Sequence, residues 1–193
     1  MKKNQMEFLF VAGFVLGVAL PNLLWKTELE ESGLPGLYLL TRVSQGIPAE
    51  PEYFFYILKT RGAVYLLTML CGLSVFGLPV SVVSCVWMGF LMGAVLTVSL
   101  LEFGVRGMFL AVALFLPQYL VYVPVSLALY RRSFQSSLSY WKNQRLSQQD
   151  RRGYGIFCAW AAVFLLGGMA LESYLNPVLI QVVIKKMQFF QGI

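Results

Sequence analysis

Apolar positions in this chain neither alternate with polar ones nor keep to one stripe of a helix. They run together, in stretches bounded by charge. Residues 8–25, 62–101 and 108–130 carry no charge beyond Glu and Arg at their flanks, and residues 154–174 carry one acid, Glu172. A helix that is apolar on all sides and about 20 residues long is what a bilayer core requires. The stretch 62–101 is too long for one crossing, since a helix of that length would overshoot the core about twofold. Gly77-Leu78-Pro79 supplies the natural break. The pattern therefore predicts five spans, at about residues 8–25, 63–76, 79–101, 108–130 and 154–174. The fold class is all-α, a single integral membrane domain over residues 1–193.

The polar stretches between these spans set the expected orientation. Residues 131–153 hold Arg131, Arg132, Lys142, Arg145, Arg151 and Arg152 against Asp150 alone. Basic loops stay in the cytoplasm, and Lys2 and Lys3 place the N-terminus there too. Five crossings then put an outer loop, 26–61, on the far face together with the C-terminal tail. A re-entrant second span would put the basic loop outside, so parity favours full crossings. The outer loop mixes five glutamates with apolar clusters, prolines and glycines. Short interfacial helices are expected there and in the tail. The charged start and apolar run of the N-terminus also fit a signal peptide. The run is long and no clear small-residue cleavage site follows, so a retained first span is expected.

Composition agrees with this class. The 193 residues are 58% hydrophobic and only 12% charged, where soluble domains carry about a quarter. The net charge of +6 sits at span ends and implies no nucleic-acid partner. The chain has no histidine, which removes Ser-His and Cys-His nucleophiles and imidazole metal sites. Cys71, Cys85 and Cys158 lie in apolar runs without metal-like spacing. No phosphate loop or carboxylate cluster appears. The expectation is a protein that is not an enzyme and holds no metal or cofactor.

Some residues are unusual for spans. Gly13 and Gly17, and again Gly89 and Gly93, form G-x-x-x-G pairs that permit close helix contact, within the chain or in a homo-oligomer. Asn22 follows Pro21 near the far end of the first span. Glu102 and Arg106 are spaced to pair across one helical turn, or to form an interfacial pair of little weight. Pro117, Gln118 and Pro124 interrupt the fourth span. Each proline frees a carbonyl that lipid cannot satisfy. Either the helix is bent against its neighbours, or it is a broken helix lining a substrate path. Glu172 is the acid placed deepest in a span, which marks either function or an interfacial anchor.

These residues together resemble the stage II sporulation protein M family. The resemblance rests on the Gly77-Leu78-Pro79 turn, Gly89 and Gly93, Gly107, and Pro117 with Gln118. Gly13, Gly17 and Asn22 are similar to the family's opening, and Glu172 with Pro177 to its ending. Many relatives carry Pro-His-Gly where this chain has Pro117-Gln118-Tyr119, so no role resting on a histidine there carries over. The resemblance implies a multipass protein of the sporulation septum or engulfing membrane. It implies a scaffold that recruits or localises cell-wall hydrolases, the stage II sporulation proteins D and P, during forespore engulfment. The alternative is the membrane subunit of a transporter or ABC-type exporter. Membrane lipid is the remaining expected partner.

Overall fold

The computed structural model describes residues 5–24, 50–143 and 147–189. Within them, the side chains of residues 24, 50–53, 102–103, 106–107, 109–111, 113–117 and 176–189 lie outside the description. So do the side chains of Glu102, Arg106, Pro117 and Pro177, and most of the expected outer loop. Among the described residues every element is helical. Helix α1 spans Gln5–Leu24. Helix α2, Glu50–Ile57, continues through a π-helical turn, Leu58–Gly62, into α3, Ala63–Cys71. Helix α4 covers Gly77–Asn143, and α5 covers Gln148–Phe189. Among the described residues four stretches are long and apolar enough to cross a membrane: Gln5–Leu23, Phe54–Cys71, Gly77–Leu101 and Gln148–Leu175.

Helix α4 is two limbs, residues 77–103 and 105–143. Gly104 separates them with φ 62° and ψ −154°, a conformation open essentially to glycine alone. The chain reverses there. The contacts of each helix show the direction of every pass. Gly13 lies over Val86 and Gly17 over Phe90, so α1 and the first limb run parallel. Ser126 meets Tyr65 and Ser137 meets Ser74, so α3 runs parallel to the second limb. Tyr122 lies at Gly168 and Arg132 at Gly153, so α5 runs opposite to that limb. Arg131, on the second limb, reaches Glu7 at the start of α1. The five helical passes therefore alternate in direction.

The seam between α1 and the first limb is made by glycine on both sides. A methyl group at Gly13 or Gly17 would overlap the carbonyl of Val86 or Phe90. Reciprocally, one at Gly89 or Gly93 would overlap the carbonyl of Phe10 or Phe14. The two backbones are in direct contact, the geometry that small residues at fourfold spacing allow. The Cys85 thiol also donates to the Met6 carbonyl at 3.3 Å.

Two boundaries differ from the sequence expectation. The second span is helical from Glu50, well before residue 63, and stops at Cys71. The break falls at Gly72–Phe76, and Gly77-Leu78-Pro79 open the next helix instead of forming the turn. Pro79 is exposed in the first turn of α4, where a missing N–H leaves nothing unsatisfied. The tail is also continuous with the last span, since α5 passes through Asn176 and Pro177 to Phe189.

Across the break the N–H groups of Gly72, Gly77 and Leu78 reach the carbonyls of Thr68, Ser74 and Val75, and three side chains from other passes add to them. Ser133 donates to the Thr68 carbonyl at 3.1 Å and Tyr154 to that of Met69 at 2.9 Å. Ser137 donates to the Ser74 carbonyl at 2.6 Å, with that of Val75 3.0 Å away, and accepts the Leu78 N–H at 3.1 Å. Gly72 leaves the room that Tyr154 and Ser133 occupy.

Gly89→Leu should force α1 off the first limb and cost about 3 kcal/mol, the upper range of overpacking. Gly167→Leu, whose new side chain meets open space, should stay within about 0.5 kcal/mol. Thermal unfolding of the two proteins in detergent micelles checks both; equal melting would disprove the close seam. Ser137→Ala should cost about 1 kcal/mol, the worth of the lost cross-helix bonds, since the Ser74 and Val75 carbonyls keep the N–H groups of Gly77 and Leu78, read in the same assay.

Candidate functional site

A charged residue inside a bundle needs a partner, and here it finds one across three passes. The inward positions of α2–α3 are Ile57, Arg61, Tyr65 and Thr68. Arg61 lies in the π-helical turn. Such a turn holds one residue more than an α-helical turn and so re-aims the side chains that follow. Within it the Thr60 hydroxyl donates to the Tyr56 carbonyl at 2.8 Å.

Arg61 Nη2 lies 2.8 Å from Glu172 Oε1 on α5. The Tyr122 hydroxyl, on the second limb, donates to Glu172 Oε2 at 2.9 Å. Both carboxylate oxygens are thus engaged. The guanidinium carbon sits 5.3 Å from the centre of the Tyr122 ring and 6.0 Å from that of Tyr119, within the range of cation–π attraction. The Tyr65 and Tyr122 rings stack at 6.3 Å, and Ser126 donates to the Tyr65 hydroxyl at 2.9 Å. Gly168 is what admits the Tyr122 ring, since a methyl there would press on it. The side chain of Glu172 is 6% exposed and that of Arg61 35% exposed. The cluster is therefore closed at the acid and open at the guanidinium.

The sequence candidates divide around this cluster. Glu172 is in it. Gln118 is buried one residue before Tyr119, but its Oε1 has no partner among the described residues and makes no cross-helix bond. Pro124 is exposed, on the side of the second limb away from buried Tyr122 and Ser126. Asn22 is exposed and turns back on its own helix, donating to the Val18 carbonyl at 2.9 Å. Gly13, Gly17, Gly89 and Gly93 form the seam described above, and Pro79 stands at the turn.

Arg61 was not among the candidates, because the expected boundary left it at the edge of the outer loop. One signal pointed to it. Arg61 precedes one span and Glu172 ends another that runs in the opposite direction, so opposite charges stand at the same end of the bundle.

Arg61→Ala should leave the Glu172 carboxylate buried without its cation. Allowing for the solvent on the open side of Arg61, the expected cost is about 2–3 kcal/mol. Joint replacement, Arg61→Met with Glu172→Leu, should recover most of that loss, because well-packed apolar residues can replace a buried pair. Thermal unfolding in micelles checks this; a double variant no better than the single one would show that the pair is not the interaction lost.

Comparison with known proteins follows the same lines as the geometry. The family model described as stage II sporulation protein M matches residues 6–177. No curated protein matches the chain, and no solved structure does. The matched region takes in the glycine seam, the Gly104 reversal and the Arg61–Glu172 cluster. With its bundle of apolar helices, the chain belongs to the stage II sporulation protein M family and is a multipass membrane protein related to sporulation.

Proposed function

We propose that this chain is a non-enzymatic scaffold that holds cell-wall hydrolases at the engulfing membrane during endospore formation. The observation that supports this reading is the Arg61–Glu172 pair. It ties the outward end of α2–α3 to α5 at the point where the outer segment joins the bundle. Helix α2 runs outward from that anchor and so offers its surface on a fixed base, which lowers the ordering cost of binding a partner. The partners are the extracytoplasmic stage II sporulation proteins D and P, as the family implies. The role needs surfaces and a membrane position, and no reacting group.

The test is an affinity capture from sporulating cells in mild detergent. The full chain should bring down both hydrolases. A chain whose residues 28–46 are replaced by a Gly/Ser linker should insert normally yet lose most of that recovery. Capture of a cytoplasmic ATP-binding subunit in place of the hydrolases would favour an exporter. Normal engulfment in cells lacking the protein would remove the sporulation role itself.

A further inference from the structure

The end of the bundle opposite the Arg61–Glu172 cluster does not stop where its spans stop. Arg131 and Arg132 close the apolar part of the second limb, and Arg132 Nη2 lies 3.7 Å from where a side chain on Gly153 would begin. Arg151 and Arg152 precede that glycine, so basic residues mark one level on both helices. The second limb continues past it. Ser137 follows Arg132 by about 8 Å and Trp141 by about 14 Å at the rise of an α-helix. Ser137 holds the Ser74 and Val75 carbonyls, so the Gly72–Phe76 turn lies out there with it. A headgroup layer is about 5–7 Å deep on each side of a bilayer. The turn and Trp141 therefore stand at or beyond its outer edge.

Apolar side chains are exposed at that height. Phe76 is 71% exposed and Trp141 63% exposed, and Leu73 and Val75 of the same turn are exposed too. Trp141 follows Ser137 by one helical turn and so shares the side of the limb that faces the Gly72–Phe76 turn. Rings of an interfacial belt sit level with the headgroups, and these stand farther out. A cluster of exposed apolar side chains in water marks a contact with another protein. The surroundings say which kind. Lys142, beside Trp141, is exposed, as are Arg132, Arg151 and Arg152. The acids described at this end are Asp150, which is exposed, and Glu7, which Arg131 holds. The rim is net positive. A second copy of the chain would bring the same sign against it, whereas carboxylates would be drawn to it.

We infer that Leu73, Val75, Phe76 and Trp141 form a docking surface for an apolar segment with acidic flanks, carried by another protein in the aqueous compartment at this end. The apolar residues supply the contact and the basic rim selects the partner. This surface is separate from the one proposed for α2 and the outer segment, so the two readings stand or fall independently.

The test places the photo-crosslinking residue p-benzoylphenylalanine at position 76 or at position 141 of the full chain, in its own cells. Irradiation and mass spectrometry then identify what each site touches. Both sites should join to one segment of another protein, in which apolar residues are flanked by Asp or Glu. The same residue in place of Val95, exposed within the Gly77–Leu101 span, should not join to that segment. Adding Lys142→Glu should lower the yield at both sites about threefold, the effect of reversing one exposed charge, and Lys142→Arg should preserve it. An unchanged melting temperature in micelles shows that each variant is folded. The two sites are carried by separate proteins, so either decides the matter should the other misfold. Adducts to lipid alone, to a second copy of this chain, or to segments without acids overturn the inference. So does a folded protein that gives no protein adduct, or a yield that Lys142→Glu leaves unchanged.

Discussion

A bare carbonyl or an unpaired charge in hydrocarbon has no water to turn to, so the protein itself must supply the partner. The arrangement of this bundle follows from that demand. In the passage from α3 to α4 the carbonyls of Thr68, Met69, Ser74 and Val75 each meet a hydroxyl from Ser133, Ser137 or Tyr154, besides the backbone N–H groups that reach Thr68, Ser74 and Val75. Those hydroxyls sit on the second limb of α4 and on α5. The same two helices supply Tyr122 and Glu172 to Arg61 at the other end. The α2–α3 pass is thus held at both ends by polar contacts to the same neighbours, and only one register satisfies both.

The remaining pass, α1, is held by shape. Its contact with the first limb is backbone on backbone, and dispersion across that close seam takes the place of polar contacts. The one ion pair of α1 described, between Glu7 and Arg131, is half open to solvent and adds little. Two kinds of cohesion therefore coexist in one bundle. Polar partners locate α2–α3, and glycine surfaces locate α1.

Much of this was legible before any coordinates. Long uncharged runs announce spans because bilayer thickness sets their length. The glycine pairs were legible as contact faces, although that Gly13 and Gly17 meet Gly89 and Gly93, and not another copy, depends on which passes become neighbours. The turn was misplaced by several residues because Pro79 reads as a breaker, while a first-turn proline is equally at home in a helix. Arg61 was missed for a different reason. A π-helical turn has no clear signature in sequence, and without it the chain appears to leave the membrane before Arg61. Gln118 is buried beside the cluster, and its neighbours Tyr119 and Tyr122 carry the contacts to Arg61.

The Arg61–Glu172 pair also has a consequence in time. A ribosome delivers the α2–α3 pass well before α5, so Arg61 enters the membrane long before Glu172 exists. Until then the guanidinium has the Tyr119 and Tyr122 rings at best, and before the second limb arrives it has neither. A cation at the end of a span can wait in the headgroup layer by extending its side chain outward. The α2–α3 helix therefore starts its life shallow and is drawn to its final depth when α5 brings the carboxylate. In this chain a later crossing seats an earlier one.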